Sequence, residues 1–423
     1  MSSETILILN AAAYLAIFLY FLKKDRYKIG VKNILFLWLT ISAFSSYMFY
    51  IQPGFEYTIH YSKMTILPFV YLLPCLVALY YPVRKIKLES INKDELLLPF
   101  DKMRILMLIC IPFLLFIFFA YFTQAMSTSM SSMGDVREAL YGGKVNNAWL
   151  SSKLAQIIDR LITNNIQLFC CLSFYCLVFL KKKDFLTWLF IILPYGISLS
   201  RSIATATRAT IFFMILIMIF QYMIYHQFIH ERMRRLFKKI GLVLGAFLVL
   251  LLLFMSFSRF GNDAGLFFYK YAGEAMINFN GILFNHIHST TDGMAYFWYI
   301  PQLLGLGDSS FADLSGKWDY IDSKTGVTGM IFYTIVGAFI IEFGKIKTLF
   351  IIAGLSWLMS HIFTKRLSAR ILIVICWCVY QLISSVYVLP IQGDGGVISL
   401  FGLILFYYFF RKKIKRKTIR ISN

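Results

Sequence analysis

The chain has 423 residues, of which 59% are hydrophobic and only 15% are charged. Its mean hydropathy is +0.69, whereas an average soluble protein is about half apolar and about a quarter charged. A soluble globule cannot bury this much apolar surface, and a disordered chain does not carry it. The composition also excludes collagen-like, coiled-coil and disulfide-scaffold classes. It predicts an all-α, polytopic integral membrane protein.

Apolar runs along the chain predict the membrane spans. A hydrocarbon core of ~30 Å needs ~20 apolar residues in helical form, and about eleven runs meet this requirement, within a range of about 10–12. The expected spans lie near residues 5–22, 33–51, 65–83, 103–122, 161–180, 185–200, 203–225, 240–257, 346–363, 371–389 and 397–410.

The basic residues predict how the chain is oriented. Lys and Arg concentrate in alternate loops and in the C-terminal tail, and these segments together carry +22, whereas the whole chain carries +21. All other residues together therefore carry −1. Because basic loops stay on the cytoplasmic side, we expect the N-terminus outside and the C-terminus inside. The positive charge thus reflects topology and gives no reason to expect a nucleic-acid partner.

Three regions follow from this scheme. Residues 1–257 hold eight predicted spans and an external loop near 123–152. Residues 258–345 form a large external loop with short or re-entrant helices, and residues 346–423 hold the last three spans and a basic cytoplasmic tail. Met330–Ile341 is apolar but short, so we predict that it lies outside the membrane, packed on the bundle, and does not span it.

Several chemical classes lack their sequence signatures. The seven cysteines all fall inside predicted spans, which favours apolar packing over disulfide bonds. The chain contains no phosphate-binding Gly-rich loop of the G-x-x-x-x-G-K-[ST] type, no H-E-x-x-H and no C-x-x-C. No acidic cluster lies at a span end. We therefore predict no cofactor and no metal.

The segment from Ser200 to Thr210 is the sharpest candidate site. Arg201 and Arg208 lie seven residues apart, about 10 Å along a helix, at the external end of two spans. The residues between them are small or hydroxylic and can line a cavity. Arginine binds phosphate bidentately, so the pair suits an anion, although simple interfacial snorkelling also fits. Arg259 opens the large loop and is a third candidate cation, or an ordinary loop arginine.

The large loop adds candidate catalytic and sugar-binding residues. His286 and His288 form an H-x-H pattern, and Glu274 precedes them. An imidazole titrates near neutral pH and can act as a general base. A metal pair or a structural role stays open for the histidines. Aromatic and acidic side chains suit sugar rings, and Asp292, Tyr333 and Trp298 are the predicted contacts; aromatics also populate interfacial belts.

Two motifs resemble those of the O-antigen polymerase (Wzy-type) family of bacterial repeat-unit polymerases. The first runs from Leu199-Ser200-Arg201 to Arg208, at the outer end of a central helix. The second runs from Thr328-Gly329 through Tyr333 to Glu342-Phe343-Gly344, with Glu342 where the family usually has Asp or Asn. Gly344 is a natural helix stop. The resemblance extends to the layout of spans, a large late external loop and a basic tail.

The resemblance implies a GT-C-like, lipid-linked glycosyltransferase in the bacterial inner membrane, with the N-terminus periplasmic and the C-terminus cytoplasmic. Its donor and acceptor would be undecaprenyl-pyrophosphate-linked glycans, and a chain-length regulator is a candidate partner. Arg201, Arg208 and Arg259 would bind the donor pyrophosphate. His288 is the first choice for the base, ahead of Glu274, with His286 and Glu342 as further candidates.

Two other functions compete with this interpretation. An O-antigen ligase or another lipid-linked glycan transferase would share the arginines and differ in its acceptor. A polysaccharide flippase or transporter would place ionisable residues along the middle of its spans and would show repeat symmetry. The predicted charges lie at span ends instead, and no internal repeat is visible.

Overall fold

The computed structural model describes residues 1–52, 61–86, 96–127, 148–180, 184–229, 231–260, 264–300, 314–365 and 367–411. These residues form helices, turns and irregular segments, and contain no β-strand. The all-α prediction is confirmed for them. All seven cysteines lie in these ranges and are free thiols, as the sequence predicts.

The described α-helices pack around a large apolar core, and a second, small apolar cluster contains Ala206, Ile211, Met214 and Leu248. The helices are α1 (Ser3–Lys24), α2 (Ile34–Tyr50), α3 (Ile66–Tyr80), α4 (Phe100–Ser127), α5 (Lys153–Asn164), α6 (Ile166–Phe179), α7 (Phe185–Ala204), α8 (Arg208–Tyr225), α9 (Glu231–Phe260), α10 (Ala264–Asn278), α11 (Leu314–Thr325), α12 (Ile335–Thr364), α13 (Ala369–Ser384) and α14 (Gly393–Phe409). Short 3-10 segments follow α3 and α8, and a π-helical turn, Phe279–Phe284, follows α10.

Local chemistry sets several of the helix starts. The side chains of Ser152, Asp184, Thr334 and Ser368 each accept a hydrogen bond from a backbone N–H three residues later, at the starts of α5, α7, α12 and α13. These bonds satisfy amides that have no partner within the helix. The apolar residues that follow then bury one face against the core.

Length and composition single out five of the helical segments as able to cross a membrane: Ser3–Lys24, Ile66–Lys85, Phe100–Ser127, Phe185–Ala204 and Thr210–Phe228. A sixth span is possible if the bent pair α5 and α6 counts as one, and α2, α13 and α14 are shorter apolar helices. Every predicted span coincides largely with a helix. The prediction of an all-α membrane protein is confirmed at this coarser level.

Two segments differ from their predicted form. The predicted span near 161–180 is broken, because α5 and α6 meet at a bend of 57° at Asn165. The predicted short helix over Met330–Ile341 begins only at Ile335, and it continues through a break at Gly344, where φ is 78°, into the predicted span near 346–363. Only a residue without a side chain adopts this φ at low cost, which is why the helix breaks there.

Much of the predicted external loop packs directly on the bundle. The α10 backbone lies so close to α2 that a Cβ on Gly273 would be 2.2 Å from the Ser46 backbone nitrogen. Ser42 and Ser46 donate side-chain hydrogen bonds to the carbonyls of Ala272 and Gly273. The Asn280 amide pairs with the Thr65 backbone in both directions. These contacts hold the loop rigidly against one end of the helices.

Candidate functional site

A series of charged and polar side chains, which we call the polar layer, lies at the end of the bundle that carries the large loop. It joins residues that are far apart in sequence through contacts between α5, α7, α11, α12 and α14. Its members are Asp159, Arg160, Arg201, Tyr296, Lys317, Glu342, Gln392 and Asp394. The opposite end carries a separate ion pair, in which Arg84 binds both carboxylate oxygens of Asp25 at 2.9 and 3.0 Å.

Arg201 lies in the last turn of α7 and begins the polar layer. Its guanidinium carbon is 5.8 Å from the centroid of the Tyr121 ring, a distance that permits cation–π attraction. The Tyr121 hydroxyl donates a hydrogen bond of 3.0 Å to Asp159, which Arg201 also attracts electrostatically. The guanidinium makes no ion pair within 4.0 Å among the described residues. Arg201 therefore keeps donors for a ligand.

The amphipathic helix α5 carries the layer towards α14. Its side chains Leu154, Ile157 and Leu161 are exposed, while Asp159 turns inward to Tyr121. Arg160, one residue on, lies 3.8 Å from the Asp394 carboxylate. Lys153, Gln156 and Arg160 are exposed as well, so α5 presents both an apolar and a polar stripe at the surface. An amphipathic helix with an exposed apolar stripe fits a membrane interface.

Lys317 extends the layer from α14 to the large loop. Its ammonium donates a 3.0 Å hydrogen bond to Oε1 of Gln392 and lies 4.1 Å from the centroid of the Tyr296 ring. Burial lowers the pKa of Lys317 to about 8, although the nearby charge of Glu342 partly opposes this. The Tyr296 carbonyl in turn accepts a 2.6 Å hydrogen bond from the Gly393 backbone. These bonds tie α11, α14 and the loop together.

Glu342 is completely buried, with 0% of its surface exposed, and its carboxylate lies in a nest of donors. Thr291 Oγ1 and the backbone N–H groups of Gly293 and Tyr296 donate to it, with the Ala295 N–H at 3.5 Å. Three of these donors meet Oε2 and one, the Tyr296 N–H, meets Oε1. Glu342 therefore fixes the loop over residues 290–297 from within the protein interior.

The two candidate histidines lie at the surface. His286 and His288 are both exposed, and the His288 backbone N–H donates to the Thr325 carbonyl at 3.1 Å. A Cβ on Gly326 would lie 2.8 Å from Cδ2 of the His288 ring, so a glycine makes room for the imidazole beside the end of α11. No group of three metal-ligating side chains occurs within the described ranges.

Glu274 has a different environment from the histidines. It is 4% exposed and lies next to Gly273, where α10 touches α2. Burial raises its pKa to about 7, and Lys270 partly counteracts this. The Glu274 carboxylate interacts electrostatically with the hydroxyl groups of Tyr61 and Tyr387. No hydrogen bond to its carboxylate is present among the residues that the structure describes. Glu274 is therefore a buried acid that takes up and releases its proton near neutral pH.

The predicted sugar contacts are divided between surface and interior. Asp292 is exposed, with φ of 52°, and accepts a 2.8 Å hydrogen bond from the Thr290 hydroxyl. Trp298 borders the polar layer, because its Nε1 lies 3.6 Å from the position of a Cβ on Gly393. Tyr333 is buried, and its hydroxyl donates a 3.0 Å hydrogen bond to the Thr328 carbonyl. This bond stabilises the turn before α12.

The structure thus brings together Arg201, Trp298 and Glu342 from the predicted set, along the polar layer. The backbones of Arg208 and Arg259 lie at the start of α8 and near the end of α9, and their side chains lie outside the described part. Sequence reasoning missed Asp159, Lys317 and Gln392. The signal available for Lys317 was a lysine in the loop that the charge distribution predicts to be external, where few basic residues are expected.

The chain matches no protein-family model, no curated protein and no solved structure. The polar layer and the apolar bundle beneath it are therefore the features that bear on function.

Proposed function

We propose that the protein is a membrane glycosyltransferase that polymerises undecaprenyl-pyrophosphate-linked oligosaccharide repeat units at the outer face of the bacterial inner membrane. The proposal includes the GT-C-like class, the N-out and C-in orientation, and the donor and acceptor lipids. It rests on the two motifs of the sequence together with the structure around them.

The observation that carries the proposal is the continuity of the polar layer. Arg201 belongs to the first motif, and Glu342 belongs to the second. They are linked by contacts through Asp159 and Arg160 on α5, Asp394 and Gln392 at the start of α14, and Lys317 on α11. A charged surface at one end of an apolar bundle suits a substrate whose head is a phosphate and whose tail is a lipid.

The chemistry assigned to this layer is a single displacement. A hydroxyl of the acceptor glycan attacks the anomeric carbon of the donor glycan. The new glycosidic bond forms as the bond from that carbon to the pyrophosphate oxygen breaks, and undecaprenyl pyrophosphate leaves with the bonding electrons. A base takes the hydroxyl proton. In this proposal Arg201 stabilises the charge that grows on the leaving oxygen, an effect worth about 3–4 kcal/mol per fixed donor in other enzymes.

Exposure favours His288 over Glu274 as that base. A base must come within hydrogen-bond reach of the acceptor hydroxyl, and His288 is exposed, whereas the Glu274 carboxylate is buried between two helices. The buried carboxylate of Glu342 acts as a positioning group that holds the loop carrying Trp298. His286 lies two residues from His288 and is also exposed, which makes it the alternative base in this loop.

The test is the extension of a lipid-linked repeat unit by the purified full-length protein, followed by polymer length on a gel. We expect Arg201→Ala and His288→Ala to lose polymer by about 100-fold, with Arg201→Lys unable to restore it because the bidentate fork is lost. Arg235→Ala and His361→Ala are matched controls outside the layer. Normal polymer from Arg201→Ala would refute the arginine role, and failure of the wild type to extend any lipid-linked unit would refute the polymerase.

The same assay distinguishes a polymerase from a ligase. A ligase would transfer the glycan to a lipid core acceptor and leave the repeat-unit acceptor unextended.

Glu274 favours a second candidate, a polysaccharide flippase or transporter, because a buried acid with a pKa of about 7 can couple proton uptake to transport. Flux of a labelled lipid-linked glycan across proteoliposomes, lost in Glu274→Gln without loss of polymer synthesis, would support that candidate.

A further inference from the structure

Asp159 is a carboxylate that lies beside the candidate phosphate-binding arginine. Its Oδ1 accepts a 3.0 Å hydrogen bond from the Tyr121 hydroxyl, and the centroid of the Tyr121 ring is 5.8 Å from the guanidinium carbon of Arg201. Asp159 and Arg201 are both half-buried and attract each other electrostatically, but no N–O distance of 4.0 Å or less joins them. Asp159 is therefore a counter-ion of Arg201 that does not occupy its N–H donors.

The charged members of the polar layer balance one another. When all six are ionised their charges sum to zero, because the cations are Arg160, Arg201 and Lys317 and the carboxylates are Asp159, Glu342 and Asp394. A pyrophosphate group that binds to this layer adds negative charge to a balanced set. A like charge placed near a carboxylate disfavours its ionised form. The bound anion and the nearest carboxylate therefore oppose each other.

Two of the three carboxylates are held by partners that bind the ionised form. Glu342 accepts hydrogen bonds from the backbone N–H groups of Gly293, at 2.8 Å, and Tyr296. Asp394 lies 3.8 Å from Arg160 and accepts a 2.8 Å hydrogen bond from the backbone N–H of Gly395. Neither carboxylate depends on Arg201 for these contacts. An anion that binds to Arg201 leaves both sets of partners in place.

Asp159 depends on Arg201 more directly. Burial raises the pKa of its carboxyl group, and the charge of Arg201, the hydrogen bond from Tyr121 and the charge of Arg160 oppose this increase. Asp159 precedes the predicted span that begins near residue 161, so water can supply or accept its proton. An anion bound to Arg201 offsets the arginine charge and thereby removes the largest of the opposing effects. The carboxyl group then favours its protonated form.

We propose that Asp159 is an internal counter-ion of Arg201 and that it takes up a proton when a pyrophosphate group binds to this arginine. This inference rests on the proposed function, in which Arg201 binds the pyrophosphate of the donor lipid. The anion and the carboxylate compete for one guanidinium charge, and protonation of the carboxylate removes the competition. When undecaprenyl pyrophosphate leaves, Asp159 returns its proton to water and attracts Arg201 again, which favours release of this product.

The coupling fixes the direction of the pH dependence. Because a proton is taken up on binding, affinity is highest below the pKa of Asp159 in the free protein and falls as the pH rises towards its higher pKa in the complex. The groups that face Asp159 are Tyr121 from α4, Arg201 from α7 and Arg160 on α5 itself. Both arginines stay charged throughout this range. Asp159→Asn should lack this dependence and should bind as the wild type does at low pH.

The experiment measures binding of farnesyl pyrophosphate to the full-length protein in phosphatidylcholine nanodiscs, by calorimetry from about pH 5 to about pH 8. At neutral pH, Asp159→Asn should bind about 3–10-fold more tightly than the wild type. Titrations in buffers of different ionisation enthalpy give the protons taken up, and the difference between wild type and Asp159→Asn cancels those that the ligand exchanges. This uptake should be lost in Asp159→Asn.

Three further variants complete the design. Tyr121→Phe keeps the carboxylate but removes a hydrogen bond to its ionised form, so the midpoint of the pH dependence should move upwards. Asp319→Asn neutralises an exposed aspartate on α11 outside the polar layer and should match the wild type. Arg201→Ala should lose binding. Asparagine still offers an acceptor to the Tyr121 hydroxyl, and matched melting temperatures check that Asp159→Asn folds.

The outcomes separate the inference from the function. Equal or weaker binding by folded Asp159→Asn at neutral pH would overturn the inference, even if the protein makes polymer, and so would an unshifted midpoint in Tyr121→Phe should Asp159→Asn not fold. Equal affinity for inorganic pyrophosphate and farnesyl pyrophosphate would overturn the assignment to a lipid head. Tighter, pH-independent binding by Asp159→Asn, in a protein that extends no lipid-linked unit, would support the counter-ion and refute the polymerase.

Discussion

Replacing Glu342 by alanine tests whether this carboxylate is a structural anchor. In the wild type it accepts hydrogen bonds from the Thr291 hydroxyl and from the backbone N–H of Gly293 at 2.8 Å, and also from the Tyr296 N–H. The substitution removes the acceptor and leaves these donors buried without a partner. The loop over residues 290–297 should then detach from α12.

The size of the effect follows from the number of donors. Each buried donor left without an acceptor costs about 1–3 kcal/mol, and three such donors give about 3–9 kcal/mol if none finds water. Because the loop lies near the surface, water can reach part of it, and the lower end applies. We expect the apparent melting temperature to fall by about 5 °C or more. Glu342→Gln should fall less, since its amide oxygen can still accept from the Thr291 hydroxyl and the Gly293 N–H, while its NH₂ would face only the Tyr296 N–H.

The assay combines thermal unfolding in detergent with limited proteolysis of the loop around Asp292. Glu342→Ala should melt early and should be cut in this loop at lower protease concentration than the wild type. Glu231→Ala, which removes an exposed glutamate at the start of α9, is the matched control and should match the wild type. If Glu342→Ala shows wild-type melting and proteolysis, the anchor role is wrong, and a catalytic role for this carboxylate would need to be considered again.

Three further predictions follow from other parts of the molecule. Gly273→Ala should lower the yield of folded protein on size-exclusion chromatography, because the added Cβ would lie 2.2 Å from the Ser46 backbone nitrogen. Gly265→Ala is the control, because no atom lies within 4 Å of a Cβ added there. Glu274 has a pKa raised from 4.5 to about 7, so its contribution to stability is fully present below pH 4.5 and is lost as the pH rises through 7. An equal slope of stability against pH in the wild type and in Glu274→Gln would contradict this. Reporter fusions should place Lys365–Arg370 inside, and an outside signal would reverse the predicted topology.

The sequence alone determined the class of the protein and the approximate positions of its helices. Apolar runs and the alternation of basic loops depend on composition over about 20 residues, which is why they can be read without tertiary contacts. It also identified Glu342 and Gly344 as notable positions. It did not identify the bend between α5 and α6 or the continuation of α12 past Gly344, because helical periodicity is the same on both sides of a break.

The tertiary structure decided which of the polar residues act together. Glu274 and Glu342 are both acids of the same predicted loop and are both buried. Glu274 has no hydrogen bond among the described residues, whereas Glu342 accepts hydrogen bonds from backbone amides. Lys317 and Gln392 are 75 residues apart, so no local pattern relates them. Partners and burial depend on packing between distant helices, and a side chain's charge state and role follow from those two quantities.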